Sequence, residues 1–404
     1  MNKVDGGVCA AKGFSANGIH CGIRKNKIKK DLSLIVSDVP ASCAAVYTTN
    51  LVYGAPITVT RENLKNGKAK AIICNSGIAN TCCTGGVAVA KEICGAAATA
   101  LGCAADDIVI ASTGVIGQPL DPRPIKDGLG DLVAGLSENG SGFAAEAIMT
   151  TDTVKKEIAF EFNIGDKVCH IGGIAKGSGM IHPNMATMLV FITSDVAISP
   201  ALLKKALSTD IKSTFNMISI DGDTSTNDMV TVLCNGMADN VPITEENGDF
   251  ETFMKALNTV NVYLCRMIAA DGEGATKLLE CSVSGAKSDA DAKTVAKSVI
   301  CSNLTKAAMF GADANWGRVL CAIGYSGADV DPGKIDVSFK SRAGTVAVCK
   351  NGEGIDFSEE IAKTVLSESE INIVISLNDG GFSSTAWGCD LTYDYVKING
   401  DYRT

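Results

Sequence analysis

The sequence has 404 residues, 46% hydrophobic and 20% charged, a balance that requires a packed core and excludes a disordered chain. A net charge of −9 argues against a nucleic-acid binder, because phosphate recognition needs a basic face, and the pair Lys29–Lys30, followed at once by Asp31, reads as a solvated loop. No run approaches the roughly 18 apolar residues of a membrane span, and the opening MNKVDGGVCAAKGF has no apolar signal core and is not an Arg-rich helix, so a cytoplasmic protein is predicted.

Along the chain, SLIVSD (33–38) and CAAVYTTN (43–50) read as two strands, and KAIICNSG (70–77) as a strand entering a turn. The small-residue stretch GVAVAKEICGAAATALG (86–102) predicts a closely packed helix, and DIVIASTGVIG (107–117) a strand that ends on glycine. Residues 156–164 and 167–175 alternate on either side of Gly165–Asp166, which predicts a hairpin. A glycine-rich loop (176–186) follows, then an apolar strand (187–198). Strands are also predicted within 277–286, 334–350 and 371–381. The mixture indicates α/β layers with largely antiparallel pairing, and no internal repeat is present. The end of the chain, with Trp387 and three tyrosines, is expected to pack back onto the body.

The 16 cysteines form no CxxC pair and, with only three histidines, offer poor material for zinc. Without a signal sequence they read as reduced thiols, mostly small buried apolar residues. DGDTSTND (221–228) alternates carboxylates like a calcium loop, but its sixth position is Thr226 and its twelfth Val232, so a hydrogen-bonded polar knot is expected instead. Dinucleotide, phosphate-loop and GxSxG nucleophile patterns are absent.

KGSGMIHPNMATMLVFITSD (176–195) joins a glycine-rich loop, a stiffening proline and a Thr that opens an apolar strand. Read plainly, it is a connection into a β-branched strand. Were the peptide bond before Thr187 cut, however, the residue would gain its own base: an α-amino group titrates at about 7.7–8.0, and a Thr hydroxyl beside such an amine is an activated nucleophile. The Thr113–Gly114 pair in IVIASTGVIG (108–117) is either an ordinary turn or a hydroxyl and N–H aimed together, as in an oxyanion hole. Glu273 in DGEGATK (271–277) is either a solvated turn residue or a carboxylate facing a ligand amine.

Taken in order, AAKGF (10–14), DLSLIVSD (31–38), NSGIAN (75–80), STGVIG (112–117), MTTDT (149–153), the HPNMATML block, DGDTSTND, DGEGATK, NWGR and the tail AWGCDLTYDYVKINGDYRT resemble the ornithine acetyltransferase, or glutamate N-acetyltransferase, family of arginine biosynthesis over effectively the whole chain. The resemblance implies an αββα fold of stacked sheets between helical layers, similar to but distinct from the N-terminal nucleophile hydrolases. It implies self-cleavage between Ala186 and Thr187 into segments 1–186 and 187–404, with Thr187 as the acetyl-accepting nucleophile and Thr113 and Gly114 as the oxyanion pair. Substrate contacts carry over to Thr150 or its neighbour Thr151, and to Lys176, Thr187, Glu273, Asn399 and Thr404. The implied substrates are N-acetylornithine and glutamate. No metal or cofactor is implied, acetyl-CoA is a co-substrate in some members, and the implied assembly is a dimer or higher multimer of cleaved pairs. Ile78 departs from the pattern in NSGNAN, Ala312 and Ala314 in GEDPNWGR, and Cys9 replaces a common Thr; none carries an assigned role. The competing readings are an amidase or aminopeptidase of similar fold and an uncleaved binding module.

Overall fold

The computed structural model describes residues 1–26, 28–182 and 188–400. In chain order its strands are β1 (Asn2–Val4), β2 (Phe14–Ile19), β3 (Leu32–Tyr47), β4 (Lys68–Ile78), β5 (Ile108–Val115), β6 (Lys156–Ile164), β7 (Lys167–Lys176) and β8 (Leu189–Ser194). The later strands are β9 (Ile218–Ser219), β10 (Met229–Cys234), β11 (Leu278–Ala286), β12 (Asp336–Ser341), β13 (Gly344–Lys350), β14 (Glu353–Gly354), β15 (Glu370–Ser376) and β16 (Phe382–Cys389).

Among the described residues nine strands form one sheet in the order β1-β6-β7-β8-β10-β3-β4-β5, with β2 added against β3. Seven form a second sheet in the order β14-β13-β12-β15-β11-β16-β9. Both are mixed: β4–β5, β8–β10, β11–β15 and β9–β16 run parallel and the other pairs antiparallel. Helices Ala55–Asn63 and Gly86–Leu101 pack at β5, and helix Asp289–Cys301 covers β11 and β16. The 23-residue helix Gly248–Ala270 lies on β6 and β7 and reaches β11 and β16. Its buried Phe253, Leu257 and Leu264 share one core with Ile171 and Val190 of the first sheet and Cys281 and Ile373 of the second. This is the stacked-sheet α/β class expected from the sequence. No helix among the described residues is long and apolar enough to cross a membrane.

The hairpin β6–β7 forms as its alternation predicts, with Gly165 at φ +58 in the turn, a conformation glycine adopts without strain. The predicted helix 86–102 is Gly86–Leu101, ended by Gly102 in the left-handed region. One expectation is corrected: 33–38 and 43–50 are not two strands but parts of β3. The intervening residues only shift register against β4, between Val36 and Ala41, while β2 and β10 extend the pairing on either side of that shift. The strand expected over 187–198 is described from Leu189 to Ser194.

The polar run 221–228 is a hydrogen-bonded knot, as expected. Asp221 accepts from the N–H groups of Met180 (2.6 Å) and Ile181 (2.8 Å). Asn227 accepts from Thr81 (2.5 Å) and Thr226 (2.6 Å) and donates to the carbonyls of Ala79 (2.6 Å) and Ser112 (2.9 Å). Ten of the 16 cysteines are buried, and none is disulfide-bonded. Burial pushes the Cys94 thiol up to about 12, opposed by a hydrogen bond from Asn63, so it behaves as an inert apolar group.

Candidate active site

The ends of β5 and β7, both in the first sheet, converge with two loops and the last helix. At the end of β5, Thr113 and Gly114 run parallel to Ser76 and Gly77 of β4. Gly114 has φ +128, and a Cβ on it would overlap the carbonyl of Gly77. Glycine alone fits there, and it leaves the backbone bare where the strand ends.

Lys176, the last residue of β7, pairs with Leu189 of β8. Just before Leu189, the Met188 carbonyl accepts from the N–H of Met229 at 2.8 Å, the residue that opens β10. The described residues that follow Lys176 are anchored. Asp221 grips Met180 and Ile181, the Ser178 hydroxyl donates to the carbonyl of Asp271 (2.7 Å), and the Ser178 carbonyl accepts from the N–H of Glu273 (2.8 Å). A side chain at Gly179 would overlap the Glu273 carboxylate, so glycine there is what lets the carboxylate stand against this loop. From the last helix, Tyr393–Gly400, Asn399 Nδ2 donates to Glu273 Oε2 at 2.8 Å.

These segments enclose a cavity of about 300 Å³. Thr113, Gly114, Thr150, Thr151, Lys176, Glu273 and Asn399, expected at a site from the sequence, all line it, including both alternatives at 150 and 151. Ala186, Thr187 and Thr404 lie outside the described residues. Ser225, Thr226 and Asn227 line the cavity too. Sequence reasoning found their knot but not this wall, because Asn227 meets Thr81 across 146 residues.

Lys176 and Glu273 are each only 8% exposed, so a cation and a carboxylate face one largely desolvated space. Beside them, burial alone would raise the Asp152 carboxyl, but Lys176 and Lys156 hold it well below the ordinary carboxylate range. A hydroxyl with a bare backbone can stabilise an oxyanion, and a fixed cation and carboxylate can orient an amino acid by its charged ends. A second, larger cavity of about 610 Å³ adjoins the first through Gly114, Val115, Thr150 and Thr151 and is bordered by Arg24, Lys25 and Lys29.

Within the glycine-rich loop, His182 Nδ1 lies 3.1 Å from Ser219 Oγ and 3.5 Å from Cys301 Sγ. Burial, helped by Lys297 and opposed by Asp221, pushes the imidazole down to about 4.

A model of the ArgJ family matches residues 15–404. The arginine biosynthesis bifunctional protein ArgJ of Caldanaerobacter subterraneus is 50% identical over 100% of both chains. The crystal structure of the protein of that name from Bacillus halodurans is 48% identical and has a TM-score of 0.51, covering 54% of this chain and 100% of its own. The crystal structure of an ornithine acetyltransferase complexed with ornithine, from Mycobacterium tuberculosis, is 35% identical over 46% of this chain and 99% of its own, with a TM-score of 0.43.

Proposed function

Because the chain belongs to the ArgJ family and is therefore an acetyltransferase of arginine biosynthesis, we propose that it carries the acetyl group of N-acetylornithine to glutamate on Thr187, after cutting itself between Ala186 and Thr187. The observation that carries this reading is the convergence of Thr113, Gly114, Thr150, Thr151, Lys176, Glu273 and Asn399 on one cavity of about 300 Å³. That volume lies at the small end for ligand pockets and suits an amino-acid derivative better than a peptide.

In the activating step the Thr187 hydroxyl attacks the Ala186 carbonyl carbon, the Ala186–Thr187 C–N bond breaks as its nitrogen takes the hydroxyl proton, and water hydrolyses the resulting ester. This leaves a carboxylate on Ala186 and a free amine on Thr187. In the transfer, Thr187 Oγ attacks the acetyl carbon while the amine takes its proton. Thr113 and Gly114 stabilise the oxyanion; the C–N bond then breaks, the amine returns the proton, and ornithine leaves. The amine of glutamate attacks the acetyl ester next and gives up a proton through the Thr187 amine, the ester C–O bond breaks, the Thr187 oxygen takes that proton, and N-acetylglutamate departs. Lys176 offsets a substrate carboxylate and Glu273 pairs with an amine, which local placement must achieve because the net charge of −9 repels anions overall.

Two observations support the two-segment reading. β8 and β10 lie side by side within the first sheet, flanked by β7 and β3, so segments 1–186 and 187–404 would share one sheet after the cut. The solved Bacillus halodurans chain is matched in full by 54% of this one, and residues 187–404 make up 54% of the sequence.

The test is a timed reaction with N-acetylornithine, with and without glutamate. The reading expects steady formation of N-acetylglutamate with glutamate present, and without it ornithine release that stops near one equivalent per site. Free acetate formed steadily without glutamate would make the protein an amidase, and no turnover of either kind would favour a binding module.

A further inference from the structure

We propose that Lys156 is a positioning residue, whose ion pairs with Asp152 and Asp271 set the spacing of the substrate-contacting groups in the adjoining cavity; the inference rests on the acetyl-transfer reading above. Lys156 lies on β6 opposite Ala175, the residue before Lys176, and is fully buried. Its Nζ is 2.7 Å from Asp152 Oδ1 and 2.5 Å from Asp271 Oδ2.

Each carboxylate uses its remaining lone pairs on backbone of the site. Asp152 accepts from the N–H of Thr150 (2.9 Å) and of Gly177 (2.6 Å), which flank Thr151 and Lys176. Asp271 accepts from the N–H of Thr153 (3.1 Å) and from its hydroxyl, and stands two residues before Glu273. One buried cation thus joins the hydroxyl-bearing loop, the end of β7 and the turn that carries Glu273. Stability alone does not require this arrangement, since well-packed apolar side chains commonly replace buried ion groups without loss. Apolar side chains could not hold the N–H groups of Thr150, Thr153 and Gly177. A bond network fixed at both carboxylates can, and displacement of catalytic groups by about 1 Å costs on the order of 100-fold in rate.

The experiment compares the parent with Asp152→Asn, Asp271→Asn and the double variant, measuring KM and kcat for N-acetylornithine well below each variant's melting temperature. The proposal expects kcat/KM to fall about 100-fold in each single variant, and little further in the double variant because both act through Lys156. A lower melting temperature with unchanged kcat and KM would overturn it. If the buried variants do not fold, Thr153→Val, at an exposed position, removes only the hydroxyl that Asp271 holds; it should raise KM about tenfold, and an unchanged KM would also overturn the proposal. A parent chain that transfers no acetyl group would instead sink the functional reading.

Discussion

Asn399 Nδ2 donates a hydrogen bond to Glu273 Oε2 across 126 residues, tying the last helix of the described chain to the wall of the cavity. Hydrogen bonds to a charged partner contribute about 1.5–3 kcal/mol, so Asn399→Ala should lower kcat/KM for N-acetylornithine by about 10- to 150-fold. Asn399→Asp should do more harm, because it sets a second carboxylate against Glu273. Steady-state kinetics on both variants checks the order; equal activity of Asp and Asn at 399 would remove this contact from the site.

Gly179→Ala tests how Glu273 is placed. The new methyl would overlap the Glu273 carboxylate, the movable end of a side chain, so the loop should survive while the carboxylate is displaced. The expected result is a melting temperature near that of the parent with a KM raised about tenfold or more. A KM that stays at the parent value would mean that Glu273 does not contact substrate.

The oxyanion assignment predicts the opposite split. Thr113→Val removes one hydroxyl at nearly constant volume, and loss of one such donor costs on the order of 100- to 1000-fold in kcat with little change in KM. Gly114→Ala is harsher, since its Cβ meets the Gly77 backbone rather than a flexible side chain, and it should also lower the melting temperature. A Thr113→Val variant that changed only KM would count against the role.

His182 gives the fold a defined acid sensitivity. Its folded-state value is lowered from 6.5 to about 4, so between those values the unfolded chain binds a proton that the folded chain refuses. Stability therefore falls as pH drops from 6.5 towards 4 and gains nothing from this group above that window. His182→Gln should flatten that part of the curve of melting temperature against pH. A profile with the parent's slope would show that another group titrates there.

Much of the lining of this cavity is legible in the sequence, for reasons that differ by residue. Thr113–Gly114, Lys176 and Glu273 sit in short strings at strand ends and glycine turns, where the chain can approach a ligand closely, and those strings carry the family pattern. The β6–β7 hairpin was legible because alternation is a local property. The continuity of β3 was not, because it depends on partners β2, β4 and β10 supplied from distant parts of the chain. The Lys156–Asp271 pair spans 115 residues and leaves no local signature. Asn227 showed only as one member of a polar knot until the fold placed it in the cavity wall.

The central claim is that Thr187 acts with its own freed amine, and the intact mass of the purified protein under denaturing conditions tests it most directly. Scaling 41.8 kDa by length, the account predicts two pieces of about 19 and about 23 kDa, the larger beginning at Thr187, and a single uncut chain for Thr187→Ala. A parent chain that stays at 41.8 kDa over days while it transfers acetyl groups would contradict the account, because Thr187 would then lack the base assigned to it.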